Sequence, residues 1–309
     1  MKLYIKIFIL IMILLISAYL WLSLDNTSLP FWETIEKKFS SDEEAKEENM
    51  VHMIRQDGTS LKLSIDEYLE GVIGSEMSAS FEIEALKAQC VASRTFVVQR
   101  GYEVDDTTRT QVYHDDKQLK QIWGTDYEKY HERIVKAIKE TKNEIMTYEG
   151  KPITAAFFSS SCGKTANSEE YWQKETPYLQ SVDSSWDTAD KSYKQTVVFS
   201  EEDFHTLLGF ENTISEISET QYYDSGYVKN IVIDGISFSG REIREKLNLR
   251  SSCFSIKKQK DGYHITTQGY GHGIGMSQIG AQQMALQGKT YKDILNHYYT
   301  DVKIDKLNV

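Results

Sequence analysis

G-S-E-M-S-A-S-F-E-I-E-A-L-K-A-Q-C-V-A-S-R-T-F-V-V-Q-R-G, residues Gly74 to Gly101, reads as a turn followed by one long helix. Ser80 is placed as the N-cap, because a serine hydroxyl accepts from an unpaired N–H of the first turn. Glu82 and Glu84 fall in that turn, where the helix dipole favours negative charge. Gly101 suits a left-handed stop. At about 100° per residue, Ile83, Leu86, Cys90 and Val97 share one stripe. Ala85, Ala88 and Ala92 on the far side allow close backbone approach. A helix with no strongly polar face is interior. Lys87 and Arg94, at the margin of the stripe, are then partly buried cations that need partners, unless their stems carry the charge out to water. Glu76, just before the helix, is the nearest candidate carboxylate in a turn.

Outward from this helix, hairpin and helix signals alternate. Residues 51–54, the pair Asp57-Gly58 and residues 61–63 read as a β-hairpin. Asp66 is placed to cap a short helix carrying Tyr68, Leu69, Val72 and Ile73. Residues 102–123 read as a polar loop. Residues 127–141 have helical spacing through Tyr130, Ile134, Ala137 and Ile138. Residues 144–148 and 152–158 read as two strands about Glu149-Gly150. Residues 159–172, S-S-S-C-G-K-T-A-N-S-E-E-Y-W, form a small, polar loop of the kind that lines a site. Then come a helix at 203–208, a strand at 227–234, a helix at 240–249 and strands at 253–257 and 263–267. Residues 269–278, G-Y-G-H-G-I-G-M-S-Q, alternate glycines, which lets backbone approach a ligand or another chain closely. Helices at 281–286 and 291–298 and a strand at 302–304 end the chain. This mixed order predicts an α+β fold, a single domain of hairpins and helices around a buried central helix.

The chain has 309 residues, 40% of them hydrophobic, and its formal charge of −11 argues against a nucleic-acid groove. Residues 7–24 are apolar and uncharged, and about 18 such residues cross a bilayer. A secretory signal is the competing reading, since Lys2 and Lys6 form a positive n-region. Ser17-Ala18-Tyr19 is followed by Leu20-Trp21-Leu22, not by a cleavage site, so the expectation is an uncleaved anchor. Residues 1–6 are then cytoplasmic, 7–24 transmembrane, 25–49 an acidic linker containing S-S-D-E-E-A-K-E-E-N, and 50–309 an extracytoplasmic domain. Three cysteines, Cys90, Cys162 and Cys253, make no disulfide framework. No Cys/His grouping has zinc-ligand spacing.

Several chemistries stay open on the residues alone. Ser75, Ser160, Ser161 and Ser277 with His272 offer serine chemistry, but no G-x-S-x-G elbow is present. Cys162 with His272 offers a thiol pair. Acid–base work on a sugar normally takes two carboxylates flanking the bond. Glu76 supplies one, and Glu70, Glu82, Glu84 and Asp183 are candidates for the second. One carboxylate suffices where the substrate's own hydroxyl replaces water. Aromatic residues make up 12% of the chain, and Trp172, Tyr178 and Trp186 follow the serine loop, suited to stacking on sugar rings.

Three blocks carry a resemblance: S-E-M-x-A-S-F-x-x-E-A-L-K-A-Q-x-V-A-x-R-T; S-x-S-C-G-K-T-x-N-S-E-x-x-W with P-Y-L-Q-S-V; and G-Y-G-H-G-I-G-M-S-Q-I-G-A. Together they span residues 75–281 and resemble the SpoIID family of stage II sporulation proteins and amidase enhancers. The resemblance implies a lytic transglycosylase that cleaves the MurNAc–GlcNAc β-1,4 bond of peptide-stripped peptidoglycan and leaves 1,6-anhydroMurNAc ends, during forespore engulfment. It implies work beside a cell-wall amidase, sporulation protein P, and a membrane scaffold, sporulation protein M, at the mother-cell membrane. Glu76 matches the family's catalytic glutamate. Lys87 and Arg94 match positions near the groove, and Thr165, Tyr178, His272, Ser277 and Gln278 are the further expected substrate contacts. Relatives often carry P-Y-L-K where this chain has Gln180. Some relatives bind zinc just before the Q-V-Y run, but residues 104–111 here hold no ligand, so no metal or other cofactor is expected. His114 and His131 read as surface residues. A non-catalytic glycan-binding module that stimulates an amidase is the alternative.

Overall fold

Two consecutive helices set the frame. α1, Ile65–Glu76, is followed by the central helix α2, Ile83–Gln99. In the computed structural model the described residues are 50–189, 192–211 and 214–307. The expected anchor at 7–24, the N-terminus before it and the linker at 25–49 lie outside them. Among the described residues no helix is long and apolar enough to cross a membrane.

α2 is interior, as its lack of a polar face predicts. Ala85, Leu86, Ala88, Cys90, Val91, Ala92 and Val97 are buried, and so are Gln89, Ser93, Arg94 and Thr95. It ends in a Schellman arrangement: Tyr102 N–H donates to the Val97 carbonyl and Gly101 N–H to that of Val98, both at 3.0 Å. Gly101 takes the required positive φ of 66°. The expected start is corrected. Ser80 does not cap; its hydroxyl pairs with that of Ser78 at 2.8 Å, within a turn closed by Phe81 N–H on the Ser78 carbonyl. Glu82 occupies the N-cap position without a side-chain cap, and its N–H is satisfied from afar by Gln282 Oε1 at 2.6 Å.

α1 is longer than the sequence suggests. Its cap is Ser64, not Asp66, through a reciprocal capping box with Glu67. Glu76 is therefore the last residue of a helix, not a residue of a free turn. The predicted hairpin forms β1, Val51–Ile54, and β2, Ser60–Leu63. Residues 102–123 are not all loop. Glu103–Asp105 forms β3, parallel to β1, and Asp116–Trp123 forms α3 with an Asp115–Gln118 capping box. α3 buries only Leu119, so it offers almost no apolar period to read.

The largest core surrounds α2 and includes α4, Tyr127–Glu140, β4, Glu144–Tyr148, and two helices near the chain end. Glu149-Gly150 turns β4 into the short β5, Lys151–Pro152, with positive φ at both turn residues. The single strand expected over 152–158 is instead two pieces. Phe157–Phe158 forms β6 in another sheet, parallel to Met276–Ser277. Within the loop expected over 159–172, Ser168–Trp172 is a short helix, α5. A separate core, with Phe204, Ile231, Ile243, Phe254 and Ile265, supports the segment between residues 194 and 268. Three strands there, Lys194–Phe199, Phe254–Gln259 and Gly262–Gln268, form one antiparallel sheet with the last in the middle. Lys194–Phe199 and Ile236–Ser239 are strands that the sequence reading missed, although T-V-V-F and the alternation of I-S-F-S are strand signals. The fold is α+β, with helices packed on several small sheets.

Candidate active site at the end of the first helix

Glu76 sits half-buried where α1 stops. Its Oε1 accepts the Val112 N–H at 2.6 Å. Removal from water raises its pKa above the usual carboxylate range, and the Val112 bond only partly opposes that. The Glu76 carbonyl accepts from Gln278 Nε2 at 2.8 Å, and the same amide reaches Gln89 Oε1 at 3.3 Å. Gln89 in turn donates to Ser93 one turn further along α2 at 3.1 Å. Beside the carboxylate, buried Tyr68 donates its hydroxyl to Gln111 Oε1 at 3.0 Å. Burial and the Glu76 charge together hold the Tyr68 hydroxyl protonated well above its ordinary pKa.

The third sequence block supports this site from behind. Ser277 caps the helix Gln278–Leu286 through Gly280 N–H at 3.0 Å. The helix thus starts three residues earlier than its apolar run suggests. Gln278 then holds the end of α1, and Gln282, one turn on, holds the start of α2. Gln278, expected as a substrate contact, bonds the Glu76 carbonyl. Ser277, expected as a substrate contact, is fully buried and caps the helix Gln278–Leu286.

The other expected contacts are placed elsewhere. Lys87 pairs with Glu140 at 2.6 Å and Glu84 at 2.8 Å. Burial works against its charge, but the two carboxylates outweigh it and leave its pKa raised. Arg94 is fully buried and donates Nη1 to the carbonyls of Thr141, at 2.8 Å, and Glu144, at 3.2 Å. It closes the C-terminal end of α4, where a cation is favoured by the helix dipole. Neither cation meets Glu76. Thr165 is fully buried, and its hydroxyl accepts Val182 N–H at 2.8 Å, stitching the serine loop to the P-Y-L-Q-S-V segment. Tyr178 accepts from Thr154 N–H at 3.1 Å and packs on Tyr148. Both hold loops together.

His272 lies among Phe158, Tyr171 and Trp172. Nδ1 accepts Ile274 N–H at 3.0 Å, so the other nitrogen carries the proton and faces the Phe157 carbonyl. Burial, helped by nearby Arg244, lowers its pKa to about 4. With both nitrogens engaged it is no base for Cys162, whose Sγ lies against the Ser225 carbonyl at 3.5 Å. The alternating glycines serve packing: Gly271 lies against the Phe158 side chain, Gly273 against the Tyr227 ring and Gly275 against the Ala156 carbonyl, all with positive φ.

The candidates for a second carboxylate are also committed. Glu70 meets His131 at 3.0 Å, so His131 is not a free surface residue. Glu84 takes Lys87 and the Tyr291 N–H, Glu82 is exposed, and Asp183 is exposed with Ser185 at 3.1 Å. Sequence reading missed Gln89, Gln111 and Asp187. Asp187 is fully buried and accepts from Ser161 N–H at 2.6 Å and Ser184 at 3.1 Å, with burial raising its pKa. Gln89 and Ser93, four apart on an apolar helix, were the available signal for a buried polar network.

The family model for Stage II sporulation protein matches residues 57–148, which include Glu76 and Val112. Stage II sporulation protein D of Bacillus amyloliquefaciens is 44% identical over 259 residues, covering 79% of this chain and 75% of that one. The protein of the same name from Bacillus subtilis (strain 168) is 42% identical over 257 residues, with the same coverage of 79% and 75%. The amidase enhancer of Bacillus subtilis is 32% identical over 294 residues, covering 75% of this chain and 39% of that protein. On this similarity, the chain belongs to the SpoIID family of stage II sporulation proteins.

Proposed function

We propose that the chain is a lytic transglycosylase that cuts the MurNAc–GlcNAc β-1,4 bond of peptidoglycan and leaves a 1,6-anhydroMurNAc end. The observation that carries this reading is the single half-buried carboxylate of Glu76, one oxygen held by Val112 N–H and its pKa raised by burial. A raised pKa keeps a proton available for the glycosidic oxygen. As that proton transfers, the C1–O bond breaks and positive charge develops at the MurNAc C1. The Glu76 carboxylate then takes the proton of the C6 hydroxyl while O6 bonds to C1. Proton and oxygen balance without water, so one carboxylate serves as acid and then base. Lys87 and Arg94 act in this reading as scaffold, since their charges are spent on Glu84, Glu140 and two backbone carbonyls.

The names of the Bacillus relatives support a place in sporulation, and the amidase enhancer supports work on the cell wall beside an amidase. Sporulation proteins P and M are the amidase and scaffold we expect. The uncharged run at 7–24 supports an anchor with the domain outside. Mass spectrometry of the membrane fraction tests this: an intact N-terminus is expected, and a chain starting near Asp25 would sink it.

The enzymatic test uses the full-length chain and its Glu76→Gln variant on peptide-free glycan strands, with products read by mass spectrometry. Anhydro-ended fragments from the wild type alone are expected. Binding without cleavage by either protein would favour the second reading, a glycan-binding module that stimulates an amidase, which the amidase-enhancer relative supports.

A further inference from the structure

Val112 lies on an arm, residues 106–115, that leaves β3 and returns to α3. Arg55, just past β1, holds both ends of it: Nε meets Asp106 at 3.2 Å and Nη1 meets Asp115 at 3.0 Å. Its Nη2 donates to Gln118 Oε1 at 2.9 Å. Between those ends the arm touches α1 at four successive residues. Gln111 accepts from Tyr68, Val112 donates to Glu76, and Tyr113 stacks on Tyr68 and fills the space left by Gly71. His114 Nδ1 lies 2.7 Å from Ser75 Oγ. The Ser75 hydroxyl gives its own proton to the Gly71 carbonyl at 2.6 Å. A hydroxyl has one proton to give, so His114 is the donor and Ser75 the acceptor. Ser75 is the residue next to Glu76, and His114 is two residues from Val112.

We infer that His114 is a positioning residue for Glu76: its clip to Ser75 sets the Val112 N–H against the carboxylate. This rests on the reading of Glu76 as the reacting group. The clip fixes the arm to the last turn of α1 close to the reacting oxygen, and Arg55 closes the arm at its base. A donor that keeps its place while the carboxylate cycles between acid and base costs no reorganisation. Misplacement of such a group by about 1 Å lowers rates on the order of a hundredfold.

The test compares His114→Ala and His114→Asn in the full-length chain. Asparagine keeps a donor near the Nδ1 position; alanine does not. His114→Ala is expected to lower kcat on peptide-free glycan between about tenfold and a hundredfold with KM unchanged, and His114→Asn to restore most of it. A second readout does not need turnover. The Val112 amide proton, followed by NMR across the acid range, should titrate with Glu76 in the wild type. That response should shrink in His114→Ala and return in His114→Asn. Tyr68 and Tyr113, which face the same space, are pushed up by burial and stay protonated there. A Glu76→Gln control identifies the part of the response that belongs to Glu76. Wild-type kcat and an unchanged Val112 titration in His114→Ala would overturn the inference, as would equal losses in both variants. If the wild type cleaves no glycan, the proposed reaction fails, and the Val112 titration still decides the role of His114.

Discussion

The Val112 N–H donates to the Glu76 carboxylate at 2.6 Å across 36 residues of sequence. Among the described residues it is the one hydrogen bond to this carboxylate, and it opposes the larger effect, the loss of water. Loss of water is the larger, so Glu76 holds a proton at a pH where an exposed glutamate would not.

Glu76→Gln is expected to lower cleavage by about 10²–10⁴, the range of a lost general acid–base. It should also stabilise the fold at neutral pH. A folded pKa above the unfolded one means that the native state binds more protons in the window above the usual carboxylate value. Stability therefore falls as pH rises through that window, and glutamine removes this cost. Melting curves should show the variant a few degrees above the wild type near pH 7.5, with the gap closing near pH 4. A gap that grows on acidification would contradict the sign.

Arg94→Ala should cost about 2–4 kcal/mol of stability, because the carbonyls of Thr141 and Glu144 lose a buried donor and α2 gains a cavity. Denaturant titration measures this. KM for glycan should not change in the fraction that folds. A large rise in KM at unchanged stability would restore Arg94 as a substrate contact.

Much of the frame was legible because α2 has no polar face and Gly101 marks its end. Both are local signals, and both appear in the structure. Glu76 was found by position in a motif, but its setting was not. The groups that surround it come from residues 68, 89, 111, 112 and 278. Long-range contacts leave no period in the sequence. Arg94, Thr165 and His272 were read as groove residues from their places in the family blocks; in the structure each bonds backbone groups, and a motif match does not show such contacts. Ser80 failed as a cap because a turn through Ser78 occupied it first.

His272 should make the fold acid-sensitive. Its folded pKa of about 4 lies below the ordinary 6.5, so the native state binds fewer protons between those values. The stability it contributes is present above pH 6.5 and lost as pH falls towards 4. His272→Gln should lower stability at pH 7 by about 1–3 kcal/mol through lost hydrogen bonds, and should flatten the dependence of the melting temperature on pH in that window. An unchanged slope would show that the ring is not buried neutral.

Gln278→Ala removes the donor from the Glu76 carbonyl and the link to Gln89. The expected cost is about 1–2 kcal/mol with a fall in kcat, and glycan affinity should be retained, as measured by co-sedimentation with glycan strands. Loss of affinity at full stability would mean that Gln278 touches substrate.

The central claim is that the C6 hydroxyl, and not water, completes the cleavage at Glu76. Digestion of peptide-free glycan by the full-length chain in heavy-oxygen water tests it directly. The account predicts anhydro-ended fragments with no heavy oxygen, absent with Glu76→Gln. Reducing ends carrying one heavy oxygen would contradict it, and would mean that a second carboxylate activates water.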